Sequence, residues 1–529
     1  MEQELQKLQK MFNCGRISRR EFIAKLSALG IAATVAPSLI SKATAASGPK
    51  KGGRLRVGIS GGAVSESIDP GLIVGNMTMA LSSTLRNNLV EIDTDFNAIP
   101  ELAENWESSS DAKKWIFNLR KGVEFHNGKT MDAADVVFSI NHHRKEDSKS
   151  GAKGFVKQIK DIKADGKHTV IFELQGGNAD FPYVMAEYML QIVPDGTSDF
   201  EKGIGTGGYI LTEYEPGVNA MTKRNPNYWK KGRAHFDEVQ FIGIAESNAR
   251  VNALRTNQVD LINELDTKTF DLLAKVPGIN CIETKGLMHY TFGMRADIPP
   301  FNNNDARLAM KYAMDRELVL KQVFRGHGEL GNDHPVSSQN RFYDPNLEQR
   351  KFDPDKAKYY LKKAGLEGET FNLYVADVGF QGAVDTGTLY MEAASKHGIN
   401  IKAVKVPDDG YWTETWGKKT WTPCWWGGRT TEDSVFSLGW AKGAAWDDTK
   451  WNNDKFQNLL VAARAELDTE KRKEMYWEMQ KIARDEGTRV VFAFIPYLDA
   501  TNDKVKHGKI GSSHILDGLY FAERWWFDA

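Results

Sequence analysis

The sequence predicts an α/β protein of two or three lobes, and three observations lead there. At 529 residues the chain is too long for one compact core. Stretches that alternate polar and apolar residues take turns with stretches of helical period, the order that covers sheets with helices. The composition, 41% hydrophobic and 26% charged, is that of a globular protein. No internal repeat or low-complexity tract is visible. A net charge of −1 argues against nucleic acid or an anionic membrane as a partner held by bulk electrostatics.

At the N-terminus, Ser18-Arg19-Arg20-Glu21-Phe22-Ile23 precedes an apolar run from Leu26 to Ile40, then Ala43-Thr44-Ala45. A basic region, a modest apolar region and a small-x-small site make a secretory signal, residues 1–45, cleaved after Ala45. The paired arginines resemble a twin-arginine signal, which exports folded proteins. A membrane anchor is disfavoured, because a run of 15 residues containing Gly30, Thr34 and Pro37 is short for a span. The segment holds seven Lys/Arg and three Asp/Glu, so its removal takes the net charge from −1 to about −5. Cys14 leaves with it. Cys281 and Cys424 remain, and two isolated cysteines do not establish a disulfide even in an exported chain.

Along the mature chain, Gly53 to Ser60 alternates as a strand and runs into a loop ending Ser67-Ile68-Asp69-Pro70. Strands follow at Leu89–Ile92 and Trp115–Leu119. Asp132 is placed to cap a helix with Asp135 in its first turn and Val136, Val137 and Ile140 on its buried face. His168 to Leu174 reads as a strand. Gly203-Ile-Gly-Thr-Gly-Gly superficially resembles a phosphate loop, but Tyr209 to Tyr214 after it alternates as a strand and opens no helix, so it is a tight turn. Strands at Val239–Ile244 and Leu287–Phe292 flank a helix at Ser247–Asn257, and Asn304 is a plausible cap for the helix carrying Leu308, Ala309, Tyr312 and Ala313. Helices near Asp355–Ala364, Gly387–Lys396 and twice between Asp454 and Glu486 alternate with strands near Leu373, Ile401 and Val490. Phe456, Leu459, Leu460 and Ala463 show the helical spacing well.

Tyr411 to Trp451 fits neither period. It holds eight of the fourteen tryptophans, mixed with Gly, Thr and charge around Trp425-Trp426-Gly427-Gly428-Arg429. An aromatic core with loops accounts for most single tryptophans. The wall of a small-molecule cleft is the sharper alternative.

Three blocks carry a family resemblance. One runs from Pro100-Glu-Leu-Ala-Glu-Asn-Trp106 through Phe117 to Gly128 and on to Ala134-Asp-Val-Val-Phe138. Another joins Gly205-Thr-Gly207 to Arg224-Asn-Pro-Asn-Tyr-Trp229 and Phe236-Asp237-Glu238, and the last is Phe301 to Arg316. In this order they resemble the family 5 extracellular solute-binding proteins of bacterial ABC importers, which bind peptides, opines and nickel. One departure is Gly203-Ile-Gly-Thr-Gly-Gly, where the family usually has prolines beside the Gly-Thr-Gly.

The resemblance implies a two-lobed α/β flytrap in three domains. Domain I would comprise 46–80, 200–285 and 489–529, domain II 81–199, and domain III, the second lobe, 286–488. Two crossovers near Lys285–Phe292 and Glu486–Ile495 would form the hinge. It further implies a ligand site from an extended strip, Val74-Gly75-Asn76, of which only the glycine matches. Across the cleft the family's W-x-x-D falls on Trp426-Gly427-Gly428-Arg429, with Phe436 beyond and Trp412 as a further cleft ring. The aspartate that pairs with a peptide's α-ammonium in that motif is Arg429 here. An arginine repels a cation and offers a planar fork to a carboxylate or phosphate. Pairing of Arg429 with Glu432 or Asp433 is the purely structural alternative, and a one-residue slip would instead bring Asp433 to the ligand.

No G-x-S-x-G elbow and no H-E-x-x-H helix appears, so a hydrolase is a remote reading. Adjacent His142 and His143 diverge on a helix and read as a solvated face. No metal or cofactor is expected. The expectation is a monomeric periplasmic binder of a small peptide, or of an opine, sugar or glutathione-like solute. It would deliver that solute to a permease powered by an ATPase.

Overall fold

The structure is a computed structural model that describes residues 49–61, 64–444 and 446–528. The signal segment lies outside the described residues. None of the described helices is long and apolar enough to cross a membrane.

The first lobe is built on a seven-stranded sheet. Its order is Ile279–Thr284, Tyr497–Asn502, Leu261–Ile262, Arg54–Ile59, Glu238–Gly243, Asn219–Arg224 and Tyr209–Glu215. Arg54–Ile59 runs parallel to both of its neighbours, as strands joined by long crossovers do. Its Leu55, Val57 and Ile59 are fully buried against Leu81, Phe241 and Trp525. The strip Val74-Gly75-Asn76 is not extended throughout. Gly75 takes φ 79° and precedes helix Asn76–Leu85, so Asn76 is already helical.

Inserted after that helix is a four-stranded antiparallel sheet, Ala103–Ser108, Lys114–Leu119, Thr169–Leu174 and Ile159–Ala164 in order. Phe117, Phe172 and Phe181 meet edge to face in its core. Helix Ala133–Arg144 covers it, and Asp132 and Asp135 form a reciprocal capping box as the sequence predicts. The histidines at its end are not a solvated face. His142 Nε2 lies 2.7 Å from the Asp69 carboxylate, and His143 is buried with Nδ1 2.7 Å from Ser150 Oγ. This helix end packs over the Asp69-Pro70 corner, which a single-helix reading could not foresee.

The Gly-Thr-Gly turn ties the insert to the large sheet. His126 takes a hydrogen bond from Gly205 N at 3.3 Å through Nδ1, and its Nε2 lies 3.1 Å from Gly207 O. Burial pulls this imidazole down to about 4, so it stays neutral. A Cβ on Gly207 would stand 2.4 Å from the Leu85 carbonyl carbon, and one on Gly205 2.3 Å from Leu85 O. The motif is glycine because two backbones touch. Gly207→Ala should therefore lower stability by about 3 kcal/mol, at the upper end for overpacking, since backbone cannot step aside. Urea unfolding midpoints check this, and a change under 0.5 kcal/mol would refute it (roughly the scale of a neutral surface change).

The second lobe centres on an antiparallel sheet ordered Glu329–Leu330, Arg489–Phe494, His289–Met294 and Trp421–Trp426. A parallel pair, Thr370–Val375 and Asn400–Lys405, lies beside it. One face packs Tyr290, Phe292, Trp421 and Phe492 under helices Asn304–Ala313 and Ala383–Ser395. The other packs Val491 and Phe494 with Phe436, Phe456 and Tyr476 under Glu432–Gly439, Asp454–Ala465 and Thr469–Glu486. The first of these helices is capped by Asn303, one residue before the expected Asn304. Its Lys311 is fully buried and donates to the carbonyls of Ala483 and Arg484 at 3.3 and 2.8 Å. Burial drives that ammonium well below the usual lysine range. Chain passes between the lobes twice, side by side, with Ile495 N donating to Met288 O at 2.8 Å.

Candidate functional site: the Trp426–Thr430 segment between the lobes

Trp421–Trp426 is a strand, contrary to the aperiodic reading, and helix Glu432–Gly439 follows it. Its alternation was invisible because every residue but Trp425 is buried, so apolar residues fall on both faces. The Trp426 ring is 7% exposed and lies inside the lobe rather than forming an open wall. The Arg489 guanidinium stacks 5.0 Å from it on one side. A Cβ on Gly439 would stand 2.4 Å from its edge, and Trp446 sits 6.2 Å away. Trp440 and Trp451 are buried, while Trp446 is half exposed. Trp412, 38% exposed, stands edge to face with Tyr411 and Trp416 in a turn at Tyr411–Thr415.

Beyond Trp426 the backbone runs close to the crossover. A Cβ on Gly428 would fall 2.2 Å from Leu287 Cβ, so only glycine lets the strand end approach the connection. Gly427 faces the Arg429 side chain. Asn340 Nδ2 donates to Arg429 O at 3.0 Å and holds the turn.

Arg429 makes no ion pair among the described residues. Its Nη1 donates to Gly428 O at 2.8 Å and Gly427 O at 3.4 Å, and its Nε is buried without a partner. The expected structural partners are engaged elsewhere. Glu432 accepts from Phe342 N at 2.6 Å, and Asp433 pairs with Arg464 at 2.9 Å. Asp433 is thus paired within its own lobe. Burial raises both carboxyls above their ordinary values.

The positive charge of Arg429 is felt across the lobe boundary. Glu187 and Tyr188, after the short helix Phe181–Val184, and His514 and Tyr497, from the C-terminal part of the first lobe, all interact with it electrostatically. Burial, helped by Arg429, takes His514 down to about 4, so its ring is neutral. Burial raises the Glu187 carboxyl while Arg429 pulls it back. Glu187, Tyr188 and His514 line a small cavity of about 30 Å³, together with Ser83, Asn88, Ser513 and, from the second lobe, Thr430. Sequence reasoning missed the far side of this cavity. No motif marks Glu187 or His514, which only the fold brings together. Val74, Gly75 and Asn76 do not line it. Asn76 Nδ2 donates to Ser60 Oγ at 2.8 Å, and Val74 is exposed.

A second set of charges bridges the lobes. Asp180, buried in the insert, accepts from Arg472 at 2.9 and 2.6 Å and from Arg341 at 3.0 Å, both from the second lobe. Ala179 N donates to Arg464 O at 2.7 Å beside it. Burial would raise the Asp180 carboxyl, but the two guanidiniums outweigh it and hold it below the ordinary value.

No group of three His, Cys, Asp or Glu among the described residues could hold a metal. Cys281 donates to Phe270 O in the first lobe and Cys424 to Trp425 O in the second, so the two thiols stand on different sheets.

Comparison with known proteins places this arrangement. Residues 97–448 match the family model described as bacterial extracellular solute-binding proteins, family 5, middle region. The chain belongs to this family. The di/tripeptide-binding protein 1 of Pseudomonas aeruginosa is 26% identical over 507 residues, 86% of this chain and 92% of that protein. The dipeptide-binding protein of Escherichia coli is 26% identical over 494 residues, 83% of this chain and 89% of that protein. Among solved structures, the periplasmic binding protein DppA of Helicobacter pylori, in complex with the peptide STSA, superposes with a TM-score of 0.74 at 23% identity. That superposition covers 91% of this chain and 99% of DppA. This family 5 protein is a periplasmic solute-binding component of an ABC importer, and not an enzyme. Its partner is a small solute.

Proposed function

We propose that this family 5 protein captures a small peptide or peptide-like solute whose carboxylate, or a similar anionic group, seats against Arg429. The observation that carries the reading is a guanidinium at the lobe boundary with a buried, unpartnered Nε and only two backbone carbonyls as acceptors. The two acids that follow it in sequence, Glu432 and Asp433, are used by Phe342 N and Arg464. A carboxylate would meet the planar fork that a lone ammonium could not. The domain division of 46–80, 200–285 and 489–529, then 81–199, then 286–488 fits this role. The lobes would close about the paired crossovers, and the closed monomer would present the solute to a permease driven by an ATPase. Export by the twin-arginine route rests on Arg19-Arg20.

Native mass spectrometry of the purified protein, followed by thermal-shift screening of dipeptides, opines, sugars and glutathione, identifies the solute. A ligand at one hundred times its Kd stabilises by about 2.7 kcal/mol, enough to read. Arg429→Ala should then weaken binding of that ligand by about tenfold to a hundredfold, the worth of a charge-assisted hydrogen bond. Arg429→Lys should recover part of it. Unchanged affinity in both variants would falsify the reading.

A further inference from the structure

One turn of the second lobe meets the first lobe right beside the crossovers. Between helix Arg316–Gln322 and strand Glu329–Leu330, Arg325, Gly326 and Gly328 take φ of 56°, 87° and 106° around His327. The turn is fixed by His327 N donating to Phe324 O and Gly326 N to Leu320 O, both at 2.9 Å. A Cβ on Gly328 would stand 2.5 Å from Phe494 O and 3.5 Å from Pro496 Cδ, so the turn lies directly on the second crossover.

From there His327 touches two elements of the first lobe. Its Nε2 lies 3.1 Å from Asp271 Oδ1, on helix Thr267–Leu273, and its Nδ1 3.0 Å from Glu283 Oε2, on strand Ile279–Thr284 of the large sheet. Phe270 of the same helix stands edge to face with the ring at 5.2 Å. Arg325 joins from the second lobe, its Nε 2.6 Å from the other oxygen of Asp271. Two residues further along each chain, Lys285 pairs with Glu329 at 2.6 Å. An ionised carboxylate only accepts, and a neutral imidazole has a single donor, so both nitrogens are satisfied together only in the imidazolium.

We infer that His327 is a pH-sensitive pin between the lobes. As an imidazolium it ties Asp271 and Glu283 of the first lobe to the second and favours the arrangement with the lobes together. As a neutral ring it releases one carboxylate, and the lobes part more readily. This rests on the lobe closure proposed above and not on Arg429. Burial would pull the ring down, but the hydrogen bonds to Glu283 and Asp271 outweigh it and raise it above its ordinary value. With the lobes apart the ring returns to about 6.5. The joined arrangement therefore holds the proton more tightly. Its advantage is complete below about pH 6.5 and is lost as pH rises through the raised value.

The test follows the solute-free protein between pH 6 and 9 by NMR of the histidine rings and by small-angle scattering. His126, His143, His289, His334 and His514 stay neutral over that range and add no charge change of their own. The His327 ring, assigned by its loss in His327→Gln, should titrate above about 6.5. The closed-to-open ratio of wild type should fall about threefold to fivefold from pH 6 to 9, the upper end for an ion pair near a surface. His327→Gln, neutral with one donor group, should have the expanded dimensions at both ends of the range. His327→Lys, a cation throughout, should keep the compact ones. His327→Glu sets a third carboxylate against the other two and should part the lobes at every pH. Expansion in His327→Glu, with His327→Gln matching wild type across the range, overturns the switch and leaves closure standing. Wild-type dimensions in His327→Glu overturn closure itself, and this inference with it. A ring titrating at or below about 6.5 overturns the cluster.

Discussion

Asp180→Ala should weaken solute binding by about tenfold or more while both lobes stay folded. Asp180 stands in the insert of the first lobe, and its carboxylate is shared by Arg472 and Arg341 of the second. Removing one member of a buried ion cluster costs about 3–5 kcal/mol where the remaining charges cannot reach water. Here they can, because opening of the lobes would hydrate both guanidiniums. The loss therefore falls on the closed arrangement more than on either lobe, and an open–closed equilibrium moves by the difference. Small-angle scattering of the ligand-free variant should show a larger radius of gyration than wild type. Calorimetry with the solute retained by the native protein should show the weaker binding, about 1.4 kcal/mol per factor of ten. A variant with lower melting temperature but unchanged affinity and dimensions would make Asp180 a fold residue only.

Acidification should destabilise the protein by several kcal/mol between pH 6.5 and 5. Burial holds His126, His143, His334 and His514 at about 4 and His289 at about 3. At His289 and His334 burial outweighs what favours the imidazolium, the Leu287 backbone at the first and the Asp333 carboxylate at the second. Each ring is neutral in the fold, while in the unfolded chain it takes a proton as pH falls below about 6.5. The unfolded state then binds more protons, so stability is complete above pH 6.5 and is lost progressively down to about pH 4. Each histidine contributes a slope of about 1.4 kcal/mol per pH unit. Asp499 opposes them: burial lifts it to about 7, so it holds its proton in the fold and stabilises as pH falls. The buried carboxyls of Glu101, Glu432, Asp433 and Asp517, also raised, add to that opposition near pH 4 to 5. His235 and His507 are lowered as well, while His327, raised by Glu283 and Asp271, joins Asp499, so seven groups against two leave a net loss over the stated window. Scanning calorimetry at half-unit steps reads it, and a flat or rising melting temperature from pH 6.5 to 5 rules it out.

Much of the fold was legible where local chemistry acts alone. Asp132 with Asp135 announced a helix because a cap needs only its own first turn. The spacing of Phe456, Leu460 and Ala463 announced another because one face meets one core. Legibility failed where a segment answers to two neighbours. Trp421–Trp426 hides its alternation because all of it but Trp425 is buried, and Asn76 turns helical because Gly75 bends the strip. At the site, Arg429 could be singled out because the family resemblance names the position it occupies. Glu187, Asp180 and His514 could not, since their significance lies in what faces them from another lobe.

The first-lobe sheet carries a consequence for the order in which the molecule can form. Strand Tyr497–Asn502 lies between Ile279–Thr284 and Leu261–Ile262, and Asn502 bonds to Asp260, 242 residues earlier. A chain emerging from the ribosome therefore leaves two strand edges bare while some two hundred further residues are made, a slow and aggregation-exposed closure. The second lobe removes that burden if it forms first. Its own sheet binds His289–Met294 to Arg489–Phe494, which returns the two crossovers to the same place, Gly286 beside Ile495. The long loop is then closed in advance, and the last strand has only a few residues to travel. The lobe that grips the solute in the finished protein is, during synthesis, the staple that brings the other lobe's ends together.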